Sequence, residues 1–293
     1  MGFLIFMGKT IGVLSIKGGV GKTSVVVALG DAISNFGKKV LLIDANFSSP
    51  NLGTHLKIID PEKTLHDVLG RTARLKDAIQ KSENFDVLPS KIFNRQTISP
   101  LELKNKIKSL KNKYDIILID SSPALNEESL AVMLASDELL IVTTPDIPTL
   151  TSTLKILKLV KQRKVPINGL ILNKTHAKSF ELSIHDIEET TGIPVLAVIP
   201  YDLNVLKAVS KFIPSTSYKP NSESSLEYKK LAGILIGIKY KPKGLRNFFK
   251  LTPKKHEINR EIFYERIFKW FNEIAPPGFE PGSQPPKGCI LDH

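Results

Sequence analysis

The chain has 293 residues and a single cysteine, Cys289, so it lacks the cysteine pairs that a disulfide framework or a Cys-x-x-Cys metal or redox site requires. Lysine and arginine number 41 against 29 aspartate and glutamate residues, which favours an acidic partner such as phosphate, nucleic acid or an anionic membrane surface. The cysteine content is typical of a cytoplasmic protein, and no apolar run is long enough to span a bilayer.

Apolar runs alternate with segments of helical spacing over most of the chain. Because these runs are continuously apolar, they predict parallel strands that are covered on both faces. The alternation predicts a doubly wound α/β domain with a mostly parallel sheet over residues 8–238. Strands are predicted at 11–16, 40–43, 116–119, 139–142, 169–172 and 195–199, and helices at 24–36, 99–113, 149–162, 182–191 and 224–236.

The regions outside this domain differ in composition. We treat residues 1–7 as a dispensable N-terminal extension. Residues 239–274 begin with a basic run and continue with amphipathic patterns, which predict a helical extension. Residues 275–293 are rich in proline and glycine, a composition that predicts disorder.

A glycine-rich stretch, residues 15–24, lies between the first predicted strand and the first predicted helix. Its glycines allow a tight loop that brings backbone N–H groups close to an anion, while Lys22 can reach outer phosphates and the Thr23 hydroxyl can bind Mg²⁺. The P-loop pattern is altered, because Ile16 stands in place of the first glycine and Lys17 adds a second lysine.

Two aspartates follow strands of this predicted sheet. Asp44 and Asp120 each close a run of four apolar residues, the pattern of a Walker B strand that holds Mg²⁺ beside phosphates. Ligands of parallel sheets bind outside the carboxyl ends of the strands. Together with the glycine-rich loop, these aspartates predict a nucleotide site that uses Mg²⁺.

The motifs resemble those of MinD/ParA-type P-loop ATPases, with the balance in favour of MinD. Residues 17–23 are similar to the family's deviant Walker A motif, residues 44–52 to its first switch, and residues 117–124 to its Walker B strand and second switch. Further family motifs are matched in the same order at residues 142–147, 170–174 and 198–202.

This resemblance implies roles for individual residues, with ATP and Mg²⁺ as cofactors. Lys17 would cross the interface of an ATP-dependent homodimer to reach the partner's nucleotide, because a second lysine beside Lys22 calls for another highly anionic neighbour. Thr23, Asp44 and Asp120 would hold Mg²⁺. The remaining nucleotide contacts implied are Gly18, Gly19, Val20, Gly21, Lys22 and Thr23 at the phosphates, Ser24 at the α-phosphate, and Asn173, Pro200 and Asp202 beside adenine.

One position departs from the family pattern. The family commonly has aspartate two residues after the first-switch aspartate, where it positions the attacking water, and this chain has Asn46. Asparagine can orient a water but cannot accept its proton. We therefore assign catalysis to Lys17, Asp44, Asn46 and Asp120, and we expect a slow ATPase. A regulator that binds ATP without hydrolysing it stays open.

The resemblance implies a switch for intracellular spatial positioning, attached peripherally to the inner face of the cell membrane and released with the help of an activating partner protein. The amphipathic residues 244–274 would bind the anionic membrane, unless they pack on the domain. A less favoured reading is a ParA-like partition ATPase that binds DNA nonspecifically. An iron–sulfur carrier is disfavoured, since Cys289 alone lies in a tail predicted to be disordered.

Overall fold

The computed structural model describes residues 8–92, 98–242 and 254–274, with side chains up to residue 265 in the last segment. Its seven strands are β1 (Lys9–Leu14), β2 (Val40–Ala45), β3 (Asp86–Leu88), β4 (Ile116–Ser121), β5 (Glu138–Thr143), β6 (Ile167–Thr175) and β7 (Val195–Pro200). They form one sheet in the order β3-β2-β4-β1-β5-β6-β7, and every neighbouring pair in it is parallel.

Helices cover both faces of this sheet. The longer ones are α1 (Lys22–Ser34), α6 (Glu127–Ala135), α7 (Ile147–Arg163), α8 (Ile184–Thr191), α9 (Leu203–Ser210), α11 (Glu223–Leu235) and α12 (Lys255–Ile274). The shorter ones are α2 (Leu52–His55), α3 (Leu65–Leu69), α4 (Leu75–Ala78), α5 (Leu103–Ile107) and α10 (Ser215–Tyr218).

Alternate residues of the central strands enter two separate apolar clusters. In β4, Ile117 and Ile119 pack on one face with α5, α6 and α7, while Ile116 and Leu118 pack on the other with α1 and α11. Both faces are buried, which is why the strands read as continuous apolar runs rather than as alternating ones. The predicted doubly wound α/β fold is confirmed.

One predicted helix is not continuous. Residues 99–113 form a 3₁₀ turn at Pro100–Glu102, then α5, then a second 3₁₀ segment at Lys108–Asn112. Leu103, Ile107 and Leu110 are buried along this irregular path. Packing therefore fixes the apolar face, while Asn105 and Ser109 between these residues favour a regular α-helix only weakly.

The C-terminal helix α12 packs against the edge strand β7 and against α11. Arg260, which is buried, donates to the Leu196 carbonyl at 3.1 Å and to the Glu227 carboxylate at 2.7 Å. Asn259 donates to the Val195 carbonyl at 2.9 Å. The first half of α12 is thus docked on the α/β domain.

Several predictions from the sequence lie outside the described residues, namely the extension at 1–7, the amphipathic stretch at 244–251 and the tail at 275–293. In the part of the chain that is described, no helix combines the length and the apolarity that a membrane crossing requires.

Candidate functional site

The glycine-rich loop joins β1 to α1 at the carboxyl edge of the sheet. Gly19 and Gly21 have φ angles of +79° and +86°, in the left-handed region that favours glycine. A Cβ atom on Gly21 would lie 2.5 Å from Nδ2 of Asn173, so a side chain does not fit there. Helix α1 begins without a capping side chain, which leaves the amides of its first turn available to an anion.

Lys22 and Thr23, the first residues of α1, both meet Asp120 at the end of β4. The ammonium group of Lys22 is buried, and it donates to one Asp120 oxygen and to the backbone carbonyl of Ser121. The Thr23 hydroxyl donates to the other Asp120 oxygen at 2.6 Å. The structure thus brings together three residues that the sequence assigned to the phosphates and the metal.

Asp44, at the end of β2, lies directly beside Asp120 across the β2–β4 pair and is fully buried. It accepts hydrogen bonds from the backbone N–H groups of Asn46, Asn51 and Leu52, at 3.1, 3.1 and 3.0 Å. Burial, and then the charge of Asp120, raise the pKa of Asp44 to about 7. Two carboxylates and one lysine therefore share this buried site.

A cavity of about 190 Å³ is lined by Lys22 and Thr23, whereas Asp44 and Asp120 lie outside its lining. Its wall includes Asn46, whose Nδ2 donates to the Ser49 carbonyl and whose buried Oδ1 has no hydrogen-bond partner among the described residues. The rest of the lining comes from residues of the loop together with Asn51, His55 and Pro123.

Comparison with known proteins agrees with this geometry. A family model described as an AAA domain matches residues 8–171. An uncharacterised ATP-binding protein of Methanocaldococcus jannaschii is 33% identical over 239 residues, which are 80% of this chain and 90% of that protein. The septum site-determining protein MinD of Thermotoga maritima is 32% identical over 245 residues, which are 79% of this chain and 89% of that protein. The chain belongs to the MinD/ParA family of P-loop ATPases.

A solved structure from the same family is similar over the whole α/β domain. It is the septum site-determining protein MinD of Pyrococcus horikoshii OT3 complexed with Mg-ADP, with a TM-score of 0.74 and 36% identity. The match covers 78% of this chain and 96% of that one.

The residues present here fit the Mg²⁺ that this family implies. Thr23, Asp44 and Asp120 supply hydroxyl and carboxylate oxygens, the ligand type that Mg²⁺ prefers. Asn46, in the wall of the same cavity, carries one more oxygen, a buried Oδ1 without a hydrogen-bond partner among the described residues. Burial, and then the charge of Asp120, raise the pKa of Asp44, and a cation would offset the second of these effects.

The deviant lysine of the family motif is bound within its own chain. Lys17 donates to Asp146 at 3.2 Å and to the hydroxyl of Thr149 at 2.7 Å. Asp146 caps the N-terminus of α7 by accepting from the Thr149 backbone N–H at 2.9 Å. Hydrogen bonds from the neighbouring threonines and from Lys17 outweigh partial burial and lower the pKa of Asp146 to about 2. A role for Lys17 across a dimer interface therefore requires it to leave these partners.

The three residues predicted beside adenine have different surroundings. Asn173 donates to the Val20 carbonyl at 2.7 Å and so stabilises the glycine-rich loop. Asp202 caps α9 and accepts from Ser224 at 2.7 Å. Pro200 ends β7. None of these three belongs to the lining of the cavity that contains the loop, so their contact with adenine stays a prediction.

Two cavity residues escaped the sequence reasoning. His55 lies at the end of α2, and its Nε2 is 3.5 Å from the Ser24 hydroxyl. Asn51 occupies the N-cap position of the same short helix, without a capping hydrogen bond from its side chain, and lies within the first-switch segment. Both depend on a four-residue helix, which has too few positions to show a helical period.

Proposed function

We propose that this protein is a MinD-like switch that binds ATP with Mg²⁺, dimerises in the ATP-bound state and hydrolyses ATP slowly. One observation carries the proposal: Lys22 and Thr23 converge on Asp120 beneath a loop that begins with Lys17. The Mg-ADP complex of the similar Pyrococcus horikoshii MinD supports the same cofactors here.

When the nucleotide binds, Lys22 exchanges its partners within the chain for phosphate oxygens. Lys22 leaves Asp120 and the Ser121 carbonyl and turns to the outer phosphates, where its charge is more strongly matched. Thr23, Asp44 and Asp120 are then the residues that hold Mg²⁺. When bound, the ion offsets charge on the β- and γ-phosphate oxygens during transfer. The loop amides fix the phosphate chain, and phosphoryl transfer depends mainly on such positioning.

Asn46 is the residue that faces the attacking water in this proposal. Its free Oδ1 can accept a hydrogen bond from that water, while its Nδ2 is held by the Ser49 carbonyl. The amide orients the water but does not take up its proton, so the step lacks a general base from this residue. Slow turnover follows, and an activating partner protein would be needed for rapid release.

Dimerisation requires Lys17 to exchange Asp146 and Thr149 for the partner's nucleotide. The ion pair between Lys17 and Asp146 is partly exposed, with 41% and 43% of the two side chains accessible. Its loss therefore costs little free energy. A triphosphate offers more negative charge than Asp146, which makes the exchange favourable only when ATP is present in the partner.

Size-exclusion chromatography of the full chain tests the switch directly. With Mg²⁺ and a non-hydrolysable ATP analogue we expect a dimer, and with Mg²⁺ and ADP a monomer. Lys17→Ala should bind nucleotide but stay monomeric, whereas Lys22→Ala should lose nucleotide binding itself. A wild-type protein that stays monomeric while saturated with the analogue contradicts the proposal.

The hydrolytic part has a separate test in steady-state phosphate release. We expect slow turnover from the wild type and none above background from Lys22→Ala. Brisk wild-type turnover would contradict the role given to Asn46, and complete absence of turnover would favour a non-hydrolysing regulator.

The surface on which the dimer works is the inner face of the cell membrane in this proposal, for spatial positioning within the cell. Residues 244–251 carry the pattern for interfacial binding, whereas α12 begins docked on the domain. Sedimentation with anionic liposomes should therefore be ATP-dependent and should be lost in Phe248→Glu. Binding to DNA instead, with a steep salt dependence, would favour the ParA-like alternative.

A further inference from the structure

Glu128 connects two segments of the site that are 80 residues apart in sequence. It is the second residue of α6 and is 9% exposed. Its two carboxylate oxygens accept from the backbone N–H of Ser48 at 3.0 Å and from the Ser48 hydroxyl at 3.3 Å. Sequence reasoning gave this residue no role, because nothing in a helix-start glutamate signals a partner so far away.

Ser48 belongs to the loop that carries Asn46, which we call the first-switch loop, residues 46–51. The Asp44 carboxylate accepts from the N–H groups of Asn46 and Asn51 and so fixes both ends of this loop. Glu128 holds its middle. The loop is thus fastened by two carboxylates, one from β2 and one from α6.

Helix α6 in turn continues from the strand that bears Asp120. Between them lies the second-switch segment, residues 121–126, in which Pro123 lines the cavity. The start of α6 is fixed by reciprocal hydrogen bonds between Asn126 and Ser129. Asp120 and Glu128 are thus joined by a short segment, residues 121–126, and by a well-capped helix start.

A buried carboxylate loses hydration, and this one is compensated in two ways. The N-terminal turn of α6 provides a favourable field for a negative charge, and both Ser48 donors are directed to it. Hydrogen bonds to a charged group are stronger than neutral ones. The contact therefore stabilises the observed position of the exposed Ser48 and of its loop.

We propose that Glu128 is a positioning residue that couples the first-switch loop to the second-switch segment, so that loss of Lys22 from Asp120 on nucleotide binding is felt at Asn46. The inference rests on the proposed function for the nucleotide, whereas the contact between Glu128 and Ser48 is present in the chain alone. Glu128 touches neither the cavity nor the phosphates and acts through Ser48.

Hydrogen–deuterium exchange of the full chain without nucleotide tests the contact. Glu128→Ala should speed exchange in peptides covering residues 46–51 by roughly tenfold, which is the effect expected from losing a hydrogen bond to a charged group. Glu128→Gln should restore most of the protection, because its amide oxygen accepts from the Ser48 N–H and its amide nitrogen donates to the hydroxyl. Glu127→Ala, at the exposed neighbouring position, is the matched control.

Nucleotide then tests the coupling. With Mg²⁺ and a non-hydrolysable ATP analogue, the wild type should gain protection in both segments, and Glu128→Ala only in residues 121–126. In single-turnover hydrolysis we expect Glu128→Ala to lower the rate between about tenfold and a hundredfold with nucleotide affinity within about twofold of wild type.

Three outcomes overturn the inference: equal exchange in Glu128→Ala and Glu127→Ala, no rescue by glutamine, or faster exchange throughout the chain, which indicates a merely structural role. If the wild type neither binds nor hydrolyses ATP, the proposed function fails, while the nucleotide-free exchange still decides whether Glu128 holds the first-switch loop.

Discussion

Replacing Asn46 by aspartate should speed ATP hydrolysis. Asn46 is buried and its Oδ1 has no partner among the described residues, so the isosteric aspartate keeps that oxygen in place and adds the capacity to take up a proton. A general base contributes about 10²- to 10⁴-fold to a rate. Since the amide orients the water in the proposed function, we expect the lower end, about a hundredfold, which corresponds to about 2.7 kcal/mol of the barrier.

The same substitution should destabilise the nucleotide-free protein. Nδ2 of Asn46 donates to the Ser49 carbonyl, and a carboxylate cannot. An unsatisfied buried acceptor costs about 1–3 kcal/mol, and a third carboxylate then joins Asp44 and Asp120. Mg²⁺ with ADP should recover much of this loss, because ligands that bind only the folded state stabilise it.

Phosphate release at saturating ATP and Mg²⁺ checks the rate, and thermal melts with and without Mg-ADP check the stability. Asn46→Ala is the control, and it should be slower than wild type because no group orients the water. An aspartate variant that binds nucleotide with wild-type affinity yet hydrolyses no faster than wild type would refute the reasoning.

Three further predictions concern packing and pH. Arg260→Met keeps the apolar part of the side chain but removes the buried guanidinium that pairs with Glu227. It should weaken the docking of α12 by about 3 kcal/mol, which faster proteolysis of the C-terminal segment would reveal. Lys239 is exposed and pairs with Glu261 of α12, so Lys239→Met should change the free energy of docking by less than about 1 kcal/mol. Burial, and then the charge of Arg260, lower the pKa of His256 from 6.5 to about 4. The unfolded chain therefore takes up this proton first, and up to about 3 kcal/mol of stability should be lost as the pH falls from 6.5 to 4, a loss that His256→Gln should abolish in urea titrations at each pH. Asp31 is fully buried and accepts from three neighbouring side chains within 2.9 Å, so Asp31→Asn should lower the free energy of unfolding by about 3 kcal/mol.

The sheet was predictable because its central strands are buried on both faces. The ends of the predicted strands differ from those of the observed strands by at most two residues, except at the C-terminal end of β6. The continuous apolar runs made this prediction possible. The edge strand β3 was missed, since Asp86–Leu88 is too short to show a pattern. Helix α6 was missed for a different reason, because it buries residues around most of its circumference and so shows little amphipathic period.

The site was predictable where chemistry depends on local spacing. Lys22 and Thr23 follow from the glycine-rich loop, and Asp44 and Asp120 follow from strands that end at one edge of the sheet. Contacts between distant segments have no such signal in a single sequence. The pairing of Lys17 with Asp146 spans 129 residues, and that of Glu128 with Ser48 spans 80.

Lys17 and Lys22, the two lysines of the glycine-rich loop, each have a carboxylate partner within the chain, which is why we expect nucleotide and metal to bind together. Lys22 neutralises Asp120, whose charge already helps to raise the pKa of Asp44. If phosphate alone drew Lys22 away, two buried carboxylates would be left facing a polyanion, at a cost that loop amides do not offset. A divalent cation among the same oxygens restores the balance. In the proposed function, Asp44 and Asp120 would hold Mg²⁺ where the ammonium group of Lys22 now lies, and we propose that this change of partner at Asp120 reaches the loop that carries Asn46 through α6 and Glu128.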